Sequence, residues 1–310
     1  RQFVLQTTED ADIAAGEVGF YDVYPYPTAR AQNAFNAGGI LAFHGEHRGE
    51  NRKNTSYDVY VQLLDFRIQQ NFTGFLERSR EAPNFYGRGD LIEQRDRRIV
   101  IGGNARHRTA RFEPSEYAKG TIEIGTSARV DLINPQQQNL LEAPANQTWD
   151  ERVDANIVQA DIGLFVDLDW DFSKYFNLKG GVRADLLFFD IDSRLGNRIP
   201  AFRPENFIEG FRRTAAGIVA GPRLAATGKP TEWFDIIASY GEGFRSPQAR
   251  TLSDSEIAPF SKVRSVDFGV RFRLFPEEQL KLTLTGYRTW LDNDVFFEAA
   301  EGRLENIGPT

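Results

Sequence analysis

Three aspartates at alternate positions form the most regular set of possible metal ligands in the sequence. Asp167, Asp169 and Asp171 match the start of a calcium-binding loop, whose first, third and fifth residues supply oxygen ligands. That loop also needs glycine at its sixth position and glutamate at its twelfth, where this sequence has Phe172 and Leu178. We therefore expect these aspartates to be hydrated acids rather than a calcium site.

Two histidines, His44 and His47, are a second possible pair of metal ligands. Residues three apart in a strand point to opposite faces, so both could reach one ion only from a turn. Glu46 and Glu50 are close in sequence, but no third strong ligand is fixed. We expect solvated turn residues here, and neither a metal site nor a cofactor is predicted.

Composition removes several classes of function. The 310 residues include no cysteine, which excludes a disulfide scaffold, a thiolate metal site and a cysteine nucleophile. With 37 Lys and Arg against 44 Asp and Glu, the net charge of −7 argues against a nucleic-acid partner. No nucleophile elbow or glycine-rich phosphate loop is present, and no carboxylate pair is singled out by spacing for glycoside hydrolysis. We expect no enzymatic activity.

Apolar residues recur with a period of two, which is typical of strands with one apolar face. In 156–171 the even positions are apolar from Val158 to Trp170, and acids, a glutamine and a glycine occupy the positions between them, with Ile157 and Phe165 as exceptions. Similar alternation occurs in 122–132, 178–190, 234–240, 264–275 and 280–287. Several runs exceed the usual strand length of about 5–6 residues and reach the roughly 9–11 residues that cross a bilayer.

The sequence predicts about twelve strands joined by connections that alternate in length. The predicted strands are 1–8, 39–45, 57–72, 95–112, 119–132, 156–171, 178–192, 215–227, 232–245, 262–275, 280–291 and 303–310, with a bulge at Leu63-Leu64. Short connections are predicted at 113–118, 172–177, 228–231 and 276–279, and long ones at 12–38, 73–94, 133–155, 193–214 and 246–261. Short turns on one rim and long loops on the other are typical of outer-membrane β-barrels.

Several segments resemble the β-barrel region of TonB-dependent outer-membrane receptors. The most specific is SYGEGFRSP at 239–247, which resembles the end of an aromatic-rich strand before an extracellular loop. GPRL at 221–224, KGGVRAD at 179–185 and SVDFGV at 265–270 are similar to neighbouring family strands. GYR at 286–288, residues 292–295 and ENIG at 305–308 continue in family order, whereas the first half matches mainly by architecture, best at 70–74.

The resemblance implies an all-β fold, an antiparallel transmembrane β-barrel of which this chain is a part. Family barrels have about 22 strands, so residues 1–310 are expected to be a partial barrel domain that lacks the C-terminal strands. The family's N-terminal plug domain, and the short box that engages the energy-coupling protein TonB, have no counterpart in the sequence. The implied location is the bacterial outer membrane, with lipid and lipopolysaccharide around the barrel.

The resemblance also directs attention to a long predicted loop as the ligand-binding region. In 193–214 an aromatic residue beside a guanidinium group could hold a ferric chelate by cation–π and charge contacts, or contact anionic lipopolysaccharide. The candidate residues are Phe202, Arg203, Phe211, Arg212 and Arg213. The lumen-facing cations could contact a plug or an anionic ligand, but charge balance against acids on neighbouring strands is the preferred interpretation. These cations are Lys179, Arg183, Arg271, Arg273 and Lys281.

The expected function is therefore energised uptake of a scarce small molecule across the outer membrane. The resemblance implies a ferric siderophore as the commonest ligand class, with cobalamin and glycans as alternatives, and a plug and TonB as partners. One rival is a passive outer-membrane porin or adhesin with the same strands. The other is a soluble all-β carbohydrate-binding protein or enzyme, whose apolar faces would bury against a second sheet.

Overall fold

The computed structural model describes residues 10–16, 18–20, 22, 30–71, 91–142, 145–194, 210–245, 261–275, 280–292, 294–298 and 303–308. It contains one short helix, α1 (Asp10–Ala15), and thirteen described strands. The strands are β1 (Asn33–Arg48), β2 (Asn54–Asn71), β3 (Leu91–Arg108), β4 (Phe112–Ser115), β5 (Ala118–Glu142), β6 (Gln147–Phe172), β7 (Phe176–Ser193), β8 (Phe211–Thr231), β9 (Phe234–Arg245), β10 (Ser261–Leu274), β11 (Leu280–Leu291), β12 (Asp294–Glu298) and β13 (Arg303–Gly308). Among the described residues, no helix is long and apolar enough to cross a membrane.

Nearly all described strands form one antiparallel meander. The large sheet has the order β1-β2-β3-β5-β6-β7-β8-β9-β10-β11, with β4 paired at the turn end of β5. Strands β12 and β13 form a separate hairpin. Sequential neighbours pair throughout, which a chain joined by hairpins achieves without any crossover. The all-β, antiparallel fold class predicted from the alternation is confirmed.

The two faces of the sheet differ as the alternation predicts. On β6 the even-numbered Ile162, Leu164 and Val166 are exposed, with 62% of Leu164 accessible. The opposite face is concave, because residues from β3 to β10 line a single groove on it. We call the concave, mostly polar face the inner face, and the convex, apolar face the outer face. Exposed aliphatic side chains on one face are typical of a lipid-facing barrel wall.

Connection lengths separate the two rims, with one correction. The turn side has short connections such as 173–175 and 232–233, and the loop side has long ones such as 195–209. The predicted long loop at 133–155 is wrong, because β5 and β6 extend through it and continue pairing to Glu142↔Gln147. The run Asn134-Pro135-Gln136-Gln137 has no alternation, and the β5–β6 register shifts between Ile133 and Gln136, so the pattern gives no strand signal there.

Smaller predictions of the strand pattern also needed correction. The expected bulge at Leu63-Leu64 is wrong, since both the β1–β2 and β2–β3 registers pass these residues without a shift. The short β4 lies in a segment that was predicted partly as a turn, and β12 was not predicted. The first predicted strand, 1–8, lies outside the described residues.

Aromatic side chains mark the turn-side rim of the outer face. The rings of Phe112 and Trp170 meet edge to face with centroids 5.6 Å apart, and Trp170 stacks on Phe172 at 5.4 Å. Farther along the same rim, the Phe234 and Phe272 rings are 5.1 Å apart. Aromatic girdles of this kind lie at the lipid–water boundary of outer-membrane barrels, so this rim indicates where the apolar band ends.

Candidate functional site

Paired charges cover the middle of the inner face. Arg98 bonds both Asp96 and Asp131, with 3.0 Å between Arg98 Nη1 and Asp131 Oδ2. Arg129 Nε lies 2.6 Å from Asp131 Oδ1, so two guanidinium groups share one nearly buried carboxylate. Because the pairs join neighbouring strands and balance one another, this zone presents hydrogen-bonding groups without a large excess of either charge.

A second ion pair of this zone lies on β7 and also contacts β5. Arg183 Nη2 donates to Asp185 Oδ1 at 2.6 Å and also to Ser127 Oγ on β5 at 2.9 Å. The Asp185 side chain is fully buried, although it points from the inner face. A buried carboxylate needs such a partner, because an unpaired charge out of water is costly. We therefore interpret Arg183 as a residue that stabilises the barrel wall.

A polar groove occupies the turn-side part of the inner face. Its volume is about 600 Å³, and charged residues from six strands line it: Arg108, Glu123, Asp167, Lys179, Arg223 and Asp267. Arg223 pairs with Asp167 across β7, and Ser239 Oγ donates to Asp267 at 2.8 Å. The groove can hold water or a polar partner.

The loop-side part of the inner face is apolar. We call this zone the apolar inner patch; it consists of Ile133, Ala155, Ile157, Leu187, Phe189 and Ile191. All six are buried, and Phe244 near the end of β9 packs against them. The β8–β9 pairing ends at Arg223↔Gly241, next to Pro222, which has no N–H to donate. Beyond it, the Glu242 backbone passes so close to Gly221 that a β-carbon there would lie 2.5 Å from the carbonyl oxygen.

The sequence matches the family model described as TonB dependent receptor-like, beta-barrel, over residues 6–309. The chain belongs to this family of TonB-dependent receptor barrels. Members are outer-membrane β-barrel proteins, which excludes the soluble rival. No curated protein sequence matches the chain.

Solved structures agree on the fold. The closed form of the ferric-catecholate import receptor Fiu from E. coli K12 is 13% identical, with a TM-score of 0.66 over 97% of this chain and 47% of that chain. The copper transporter OprC is 13% identical, with a TM-score of 0.61 over 90% and 42%. The hemophore receptor HasR from Serratia marcescens is 15% identical, with a TM-score of 0.58 over 87% and 42%. The chain thus spans less than half the length of these structures.

Within this receptor barrel, the predicted ligand-binding residues do not form one group. Phe202 and Arg203 lie outside the described residues. Phe211, Arg212 and Arg213 lie in β8 rather than in the predicted loop, and strand alternation separates the last two. Arg212 lies on the outer face, where its Nη2 is 3.0 Å from Asp190 Oδ2. Arg213 is on the inner face opposite Ile191, at the edge of the apolar inner patch.

The possible metal ligands of the sequence are engaged elsewhere. His44 and His47 lie on opposite faces of β1, not in a turn, and His44 Nδ1 is 2.5 Å from Asp58 Oδ1. Asp169 is 3.1 Å from Lys179 Nζ, and Asp171 is 2.7 Å from Arg111 Nη2. In the described part of the chain, no group of three or more acidic or histidine side chains could hold a metal ion.

Most of the lumen-facing cations are paired, as the charge-balance interpretation predicts. Lys179 and Arg183 pair with Asp169 and Asp185, and both Arg271 and Arg273 approach Asp235. Lys281 also has an interaction partner. Lys179, Arg271 and Arg273 therefore link neighbouring strands of the receptor barrel, whereas the Arg183–Asp185 pair lies within β7.

The apolar inner patch was missed by sequence reasoning, although a signal for it was present. Ile157 was noted as an exception to the alternation of β6. The run Leu186-Leu187-Phe188-Phe189 breaks the pattern in the same way, because it is apolar on both faces. Apolar residues at both odd and even positions near one rim indicate a strand that is covered on both sides there.

Proposed function

We propose that the full-length protein is an energised outer-membrane receptor that takes up a scarce ligand, with a ferric siderophore as the ligand class. Membership of the receptor-barrel family supports this proposal. The similar structures include proteins whose names describe ferric-catecholate and ferric citrate transport. At 11–13% identity these likenesses support the fold and give no ligand for this chain.

The observation that best supports a bound organic ligand is the loop-side inner wall, where the half-buried Arg213 lies at the edge of the buried apolar inner patch. A simple aqueous pore gains nothing from an apolar wall at its mouth, since water and ions are not retained there. A negatively charged chelate is attracted by a guanidinium group at the edge of such a wall. Phe211 at the start of β8, and the sequence candidates Phe202 and Arg203, remain part of the proposal.

The proposed mechanism needs partners beyond the described residues. A plug domain of the full-length protein would fill the lumen, and the polar groove at its turn side offers paired charges and hydroxyl groups to such a partner. Energy would come from TonB at the inner membrane, with no covalent chemistry on this chain. Outer-membrane lipid and lipopolysaccharide would surround the outer face.

The test is uptake by the full-length protein in a Gram-negative strain without its own siderophore receptors. Radiolabelled ferric complexes of catecholate, hydroxamate and citrate chelators would be offered in an iron-limited medium, with and without TonB. We expect TonB-dependent uptake of at least one complex. Uptake that is equal without TonB would instead favour the passive porin, and no uptake of any complex would refute the siderophore class.

Arg212 and Arg213 provide a matched pair for locating the ligand. Arg213→Gln should raise the half-saturating ligand concentration by roughly 10- to 150-fold, because a charged hydrogen bond contributes roughly 1.5–3 kcal/mol. Arg212→Gln changes the same residue type one position away, but on the outer face, and should leave uptake unchanged. Equal effects of the two substitutions would contradict the placement of the ligand on the inner face.

A further inference from the structure

Three arginines lie together on the outer face, just beyond the apolar band on the loop side. Arg67 is on β2, and Arg95 and Arg97 are on β3. The apolar band ends at the preceding outer-face pair, Leu63 and Ile99, which are 54% and 42% exposed. The β2–β3 register runs without a shift from Asn54↔Arg108 to Asn71↔Leu91, so strand alternation assigns the faces consistently.

Within the described strands, no carboxylate forms an ion pair with these guanidinium groups. Arg67 and Arg95 are direct cross-strand partners, a like-charge placement that destabilises an antiparallel pair. Asp65 is opposite Arg97, yet no ion pair joins any of the three arginines to a carboxylate within the described strands. The nearby Glu93 instead accepts hydrogen bonds from Gln69, at 2.8 Å, and Asn139, at 3.5 Å.

Arg95 also has a buried donor group without a hydrogen-bond partner. Its Nε is shielded from solvent and has no hydrogen-bond partner. Other outer-face arginines on the loop side are satisfied by the protein: Arg212 pairs with Asp190 at 3.0 Å, and Arg194 pairs with Asp154 at 3.0 Å. An unpaired donor beside two like charges indicates a place for an external anion.

We propose that Arg67, Arg95 and Arg97 bind a phosphate group of a lipid headgroup in the loop-side leaflet. Guanidinium groups bind phosphate oxygens in bidentate geometry, and clustered cations at a membrane surface attract anionic headgroups. Leu63 and Ile99 place acyl chains directly beside the site, which favours a lipid over a soluble anion. The proposal depends on which face meets lipid and not on the transported ligand.

The opposite rim of the outer face supports a leaflet-specific site. In the strands of the large sheet that the structure describes, the turn-side outer positions hold aromatic and aliphatic side chains such as Trp170, Phe172 and Phe272, without lysine or arginine. The three arginines therefore distinguish one leaflet from the other. Loop-side phosphates are those of lipid A, the anchor of lipopolysaccharide, which is the probe to use.

The test measures binding of lipid A to the full-length protein in detergent micelles. Fully dephosphorylated lipid A and inorganic phosphate are the comparison probes. Arg67→Gln/Arg95→Gln should weaken lipid A binding about 30-fold, since each surface cation contributes roughly a fivefold attraction. The control, Arg194→Gln/Arg212→Gln, removes two outer-face arginines that already have carboxylate partners and should bind like the wild type.

Several other results would contradict or redirect the lipid A proposal. Equal binding by the Arg67→Gln/Arg95→Gln variant, equal binding of dephosphorylated lipid A, or no lipid A binding by the wild type would each overturn the proposal. Full competition by inorganic phosphate would reassign the site to a soluble anion. If the glutamine variant does not assemble, Arg67→Lys/Arg95→Lys keeps the charge but loses the planar fork, and intermediate binding is then expected. Ligand uptake is measured in a separate assay, so a negative result for lipid A binding would not count against the transport proposal.

Discussion

Replacing Val166 by arginine tests the face assignment on which the membrane orientation depends. Val166 lies in the middle of β6 on the outer face, 41% exposed, with Ile124 and Val182 as its cross-strand partners. An arginine at the bilayer midplane of an outer-membrane barrel costs about 2–4 kcal/mol. In Val166→Arg, the equilibrium constant for folding into lipid should therefore fall roughly 30- to 700-fold.

The assay is reversible urea unfolding of the full-length protein in lipid vesicles, followed by tryptophan fluorescence. Ser239→Arg is the matched control, because it places the same side chain in the polar inner groove, where Ser239 already contacts Asp267. The control should stay within about 1 kcal/mol of the wild type, as an exposed ion pair contributes little. A reversed order, with Ser239→Arg more damaging than Val166→Arg, would refute the assignment of inner and outer faces.

Two further substitutions test the packing of the inner wall by the same unfolding measurement. Gly181→Ala should destabilise the barrel by about 1–3 kcal/mol, because its β-carbon would lie 2.6 Å from the Val166 carbonyl oxygen and against Asp167. The control Gly39→Ala places its β-carbon in open space and should leave the stability close to that of the wild type. Arg183→Gln should cost about 1–3 kcal/mol by leaving the buried Asp185 carboxylate unpaired. Adding Asp185→Asn to that variant should recover most of the loss, and an unchanged unfolding midpoint in the single variant would show that the ion pair does not stabilise the wall.

The strand pattern was predictable where the bilayer constrains the sequence. Lipid requires an apolar side chain at every second position, which is why Ile162, Leu164 and Val166 recur at alternate positions, although Phe165 between them is also apolar. That alternation predicted β6, β7, β10 and β11 to within a few residues, apart from the extra residues at the loop-side start of β6. The charged residues of the inner face were predictable as well, because Lys179 and Arg183 occur at the intervening positions and form ion pairs with aspartates there.

Prediction failed beyond the apolar band, and the reason is physical. Once a strand leaves the bilayer, neither face must be apolar, so alternation carries no information about pairing. The β5–β6 extension continues through glutamine and asparagine residues such as Gln137, whose amide bonds Asp154 across the pair at 3.3 Å. Its register is set by backbone pairing and these polar contacts, which a hydrophobicity pattern does not report.

The candidate site lies in the same zone, where the alternation of apolar residues gives no information. Its residues could therefore be predicted only in part from the sequence. Arg212 and Arg213 were grouped because they are adjacent in sequence, yet a strand sends them to opposite faces, where one meets Asp190 and the other borders the apolar inner patch. The patch itself is recognisable only by the failure of alternation at Ile157 and Leu187. In a membrane barrel the regular stretches therefore reflect the lipid, and the irregular stretches next to the loop-side rim are where we propose that the ligand binds.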